Sequence, residues 1–64
     1  MDEAEFELEM ARLGFTEQLD ASTCLVAWYN PRLKIQKILS RPRNMSDASR
    51  ARFIEQLRKD LNLA

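Results

Sequence analysis

Asn30-Pro31 interrupts the densest apolar run in the chain, and the two halves it leaves narrow what the molecule can be. The stretch Thr23–Leu39, TCLVAWYNPRLKIQKIL, holds the single Cys, the single Trp and the single Tyr. One reading is a β-hairpin. Cys24, Val26 and Trp28 then line one face, with Leu25, Ala27 and Tyr29 on the other. Asn30-Pro31-Arg32 makes the turn, since Asn favours the first position of a type I turn and Pro presets φ at the second. Leu33-Lys34-Ile35-Gln36-Lys37 alternates apolar and polar as a half-buried strand does. A second reading makes Asn30 an N-cap and Pro31 the first residue of a helix running to Leu39. Val, Trp, Tyr and Ile favour the hairpin.

Helices are expected on both sides. Asp2–Leu13 carries Phe6, Met10 and Leu13 on one stripe and is closed by Gly14. Its early acids suit the positive end of the helix dipole. Ala4, Leu8 and Ala11 fall on the opposite side, either as ordinary exposed positions or as a second contact face. Phe15 folds back onto this helix. Thr16–Ser22 is a polar connection anchored by Leu19. The segment after Leu39 is a loop, because Pro42 disfavours helix at Arg41. Ser46 caps a final helix with Asp47 in its first turn, and Phe53, Leu57 and Leu61 share a face with Ile54 beside them. Arg50 falls within that stripe and must snorkel or meet an acid. The expected architecture is therefore a single α+β domain over residues 1–64, helix–hairpin–helix (αββα). A two-stranded sheet is marginal alone, so completion as a homodimer is expected.

Charge is segregated. The net charge is zero, yet residues 1–22 hold seven acids against Arg12, giving −6, and residues 23–64 hold nine bases against three acids, giving +6. The candidate binding residues are Arg32, Lys34, Lys37, Arg41, Arg43, Arg50 and Arg52. Trp28 and Tyr29 near the turn are either core or stacking platforms for bases.

Catalytic and metal chemistry is sparse. With no His, the commonest general base and metal ligand is absent. One Cys without His makes no structural zinc site, and Cys24 within an apolar run reads as a buried, inert thiol. One glycine rules out a glycine-rich phosphate loop. No apolar run approaches the ~20 residues of a membrane span, and no signal-peptide pattern opens the chain, so a cytoplasmic protein is expected.

A helix ending in Gly14-Phe15, then strands, the Asn30-Pro31 turn and a closing amphipathic helix, resembles small RNA-cleaving toxins of the HicA type. That family's catalytic His is missing here, with Ala21-Ser22-Thr23-Cys24 in the corresponding place, so neither residue nor activity transfers. Helix–hairpin–helix units also occur in phage head-to-tail joining proteins. The expectation is a non-enzymatic interaction protein without cofactors, such as a phage or mobile-element accessory factor, binding a protein partner. The alternative is a nucleic-acid-binding regulator using the basic segment 32–52.

Overall fold

The computed structural model describes residues 1–18 and 24–62. Helix α1 spans Glu3–Arg12, and the Asp2 side chain caps it by accepting from the Glu5 amide at 2.8 Å. Its far end is a Schellman closure. Gly14 takes φ +93°, its amide donates to Ala11 O, and the Phe15 amide donates to Met10 O. Phe15 and Met10 are both buried, so the apolar contact that accompanies this motif is present.

Strands β1 (Thr16–Gln18), β2 (Leu25–Asn30) and β3 (Ile35–Ser40) form one antiparallel sheet in that order. The α+β helix–hairpin–helix layout holds, with a third strand where a polar connection was expected. Thr16-Glu17-Gln18 shows no apolar alternation because all three side chains are exposed. Its pairing rests on backbone bonds to Gln18↔Ala27, Glu17↔Trp28 and Thr16↔Tyr29 partners. Leu19 and the rest of that connection lie outside the described residues.

The helical reading of residues 31–39 is excluded. Pro31–Lys34 is the loop, and Lys34 closes it at φ 58° with its amide donating to Asn30 O at 2.7 Å. The second strand therefore begins at Ile35, two residues later than the alternating pattern implies, and runs on to Ser40. Leu33 is left exposed in the loop.

Helix α2 spans Asp47–Asp60, capped by Ser46, whose hydroxyl accepts from the Ser49 amide at 3.1 Å. A short 3₁₀ turn, Pro42–Asn44, leads into it. Both helices lie on the same side of the sheet and run parallel. Met1 sits by Asp47 and Arg50 at one end, and Glu9 meets Arg58 farther along. The buried core joins Phe6, Met10 and Phe15 to Val26 and Trp28, and to Ile54 and Leu57. Phe6 meets Trp28 edge-on, with centroids 6.1 Å apart, and Phe53 at 6.0 Å. Trp28 is thus core, and its indole Nε1 is buried with no hydrogen-bond partner among the described residues.

The sheet has two unlike faces. Val26, Trp28 and Asn30 point to the helices with Ile35, Lys37 and Leu39 opposite them. Leu25, Ala27 and Tyr29 point away, paired with Ser40, Ile38 and Gln36, and no described element covers that side.

Candidate functional site

The basic residues expected to form one patch are divided by the fold. Arg32 and Lys34 sit on the hairpin loop, both exposed. Arg43 is exposed on the 3₁₀ turn at the opposite end of β3, roughly 20 Å away for a six-residue strand. Arg52 is exposed on α2. Lys37 is half-buried at the middle of β3, on the helix-facing side. Arg41 is half-buried just after β3, where its amide donates to Cys24 O at 3.2 Å.

Arg50 leaves the patch altogether. It is 7% exposed. Its Nε donates to Pro42 O at 2.8 Å, and its Nη1 to Asp47 Oδ1 at 2.6 Å and Met1 O at 3.3 Å. The acid that its place in the apolar stripe demanded is Asp47, one turn earlier on the same helix. Arg50 therefore ties the chain start and the 3₁₀ turn to α2, which is a structural task.

Asn30 is a residue that the sequence offers only as a turn former or a helix N-cap. It is 1% exposed. Its Nδ2 donates to Leu13 O at 3.0 Å, and its Oδ1 accepts from the Leu33 amide at 3.0 Å. One side chain thus caps α1 and shapes the hairpin loop. The signal in the sequence was Asn before Pro, which marks a turn but not a contact 17 residues back.

Around this bond lies an open groove of about 400 Å³, walled by Leu13, Leu33 and Leu61 and flanked by Arg12 and Arg32. Both helices end here, so their carbonyl ends make the site partly negative. Arg12 is already paired with Glu9 at 2.7 Å. A shallower depression runs along α2 between Met45 and Phe53, edged by Arg52 and Gln56.

Glu9 bridges the helices. It is held by Arg58 across the interface and by Arg12 on its own helix, and these bonds set its carboxyl below its ordinary value of 4.5 against a smaller opposing effect of burial. The other acids of α1, Glu3, Glu5 and Glu7, are exposed and enter no ion pair among the described residues. They make α1 acidic on more than one side, since the i+2 spacing turns Glu5 away from Glu3 and Glu7.

Cys24 corrects an expectation. The thiol is exposed, because β2 begins one residue later and Cys24 lies past the end of the sheet rather than in the apolar alternation. Among the described residues no three Cys, Asp or Glu side chains cluster as metal ligands would, and no helix is long and apolar enough to cross a membrane. Comparison with protein-family models, curated proteins and solved structures returns no match.

Proposed function

We propose that the domain is a non-enzymatic interaction module that binds a protein partner through its polarised charged surface. The observation that supports this reading is the division of the exposed cations. Arg32 and Lys34 stand at one end of β3 and Arg43 at the other, with Lys37 between them turned toward the helices. A nucleic-acid backbone rewards a contiguous cationic strip, since affinity follows the number of phosphates neutralised together. Separated cations, with the exposed acids of α1 on the same molecule, suit a folded partner of complementary pattern. Trp28 is withdrawn into the core, so it offers no base a stacking surface. Small size and sparse catalytic chemistry fit an accessory factor, such as one carried by a phage or mobile element.

Titration with duplex DNA and single-stranded RNA at about 50 mM salt tests the choice. Feeble binding is expected. Tight binding with a log–log salt slope near −4, which needs four or five phosphate contacts at roughly −0.9 each, would overturn the protein reading in favour of the nucleic-acid regulator. With a partner in hand, Arg43→Ala and Arg52→Ala should slow association more than they speed dissociation.

A further inference from the structure

The face of the sheet turned away from the helices is covered by no described element. It carries no formal charge at any described outward position, in a chain that is 31% charged. Its middle row is Gln18, Ala27 and Ile38, with Leu25 and Tyr29 to either side along β2. Ile38 is 63% exposed and Leu25 42%, whereas Ala27, in the same row as Ile38, is nearly covered. The result is a flat, neutral surface with two protruding aliphatic side chains.

We infer that this face docks a second copy of the chain, sheet against sheet, giving a helix–sheet–sheet–helix sandwich. The argument is one of charge. A two-fold interface must bring a surface onto itself. The outward face of α1, where Leu8 is 52% exposed, would set Glu5 and Glu7 against their own copies, and the cationic ends would repel likewise. A head-to-tail contact of acidic α1 on a basic end is attractive but heterologous, so it builds a ring or a filament and not a two-fold dimer. The neutral sheet face meets itself without either penalty.

Lengthening the sheet through an edge strand is another two-fold arrangement, and Lys37 opposes it at β3 as Glu17, on the same side of the sheet, does at β1. A charged side chain on the helix-facing side of an edge strand is a standard barrier to adding another strand, because the newcomer would bury it. Face stacking leaves Lys37 where it is, and aligned sheets pack about 10 Å apart. Size then sets the strength. Three strands of at most six residues make a face of roughly 14 by 20 Å. Two such faces fall short of the about 1,200 Å² at which standard interfaces begin, so the dimer is weak and reversible, with a dissociation constant above about 10 μM.

Sedimentation of the full chain from about 10 μM to about 1 mM tests this. A concentration-dependent monomer–dimer equilibrium is expected. Ile38→Glu should raise the dissociation constant at least about tenfold by placing like charges face to face, and its exposure means that the fold, checked by thermal melting, survives. Gln18→Lys, on the opposite edge of the same face, should weaken stacking too. Leu8→Glu, Arg43→Ala and Arg52→Ala should leave the equilibrium unchanged, which separates this dimer from the partner-binding reading. A monomer throughout the range overturns the inference and frees the face for another protein. Insensitivity to Gln18→Lys with loss in Ile38→Glu overturns it in favour of edge pairing, and loss in Leu8→Glu overturns it in favour of α1.

Discussion

Asn30 donates its side-chain amide to the Leu13 carbonyl at 3.0 Å, so the residue that opens the hairpin loop also finishes the first helix. Gly14 lies directly against it. A Cβ at Gly14 would come within 3.1 Å of the Asn30 nitrogen and would sit on a backbone at φ +93°. Asn30→Ala should cost about 1–3 kcal/mol, since the part-buried Leu13 carbonyl and Leu33 amide lose their partner. Gly14→Ala should destabilise as well, by about 1 kcal/mol or more for the left-handed conformation alone. Denaturant melts read both, and an unshifted midpoint for Asn30→Ala would show the bond to be idle.

Arg50 and Arg43 should separate cleanly although both were candidates for one surface. Arg50→Ala removes the donor to Pro42 O and should cost about 1–3 kcal/mol, a fall of several degrees in Tm. Arg43→Ala alters an exposed side chain and should stay within about 0.5 kcal/mol. Equal effects on stability would contradict the structural assignment of Arg50.

Cys24 should react with a maleimide in the native protein nearly as fast as in denaturant, because the thiol is exposed beyond the start of β2. Slow native labelling that denaturant accelerates would return the thiol to the core.

Trp28 should tolerate Phe far better than Ala. Truncation to Ala empties a core position beside Phe6 and should cost about 3–5 kcal/mol. Phe keeps most of the ring volume and removes an indole N–H that is buried without a partner among the described residues, so its cost should be below about 2 kcal/mol. A Phe variant as unstable as the Ala variant would show that the N–H is satisfied after all.

The helices, the cap of the second and the hairpin were legible because each rests on local signals. Ser46 caps, Gly14 closes, and Val26 and Trp28 alternate with Leu25 and Ala27, whereas Asp2, read as the first helical residue, is the cap before it. Strand β1 was not legible, since Thr16–Gln18 buries no side chain and is defined by a neighbour 9–13 residues away. Where β3 begins depended on a four-residue loop, fixed by Asn30 and the left-handed Lys34, which composition does not reveal. The candidate site fared worse. Charge counts name bases but carry no distances, and Arg50 shows how a base in an apolar stripe becomes a brace.

Glu9 offers a pH test of the packing between α1 and α2. Arg58 and Arg12 lower its folded-state pKa below the ordinary 4.5. A carboxyl lowered in this way contributes stability that is fully present above its unfolded value and is lost as pH falls through the folded one. Glu9→Gln should therefore be less stable than the parent at neutral pH. The gap should hold down to about pH 5 and close progressively in more acid solution, as Glu9 in the parent takes up its proton. Added salt should narrow it only partly, because the Glu9 side chain is 14% exposed and sheltered charges are screened less than surface ones. A gap that stays constant from neutral to strongly acidic pH would mean that Glu9 acts through packing rather than through its charge.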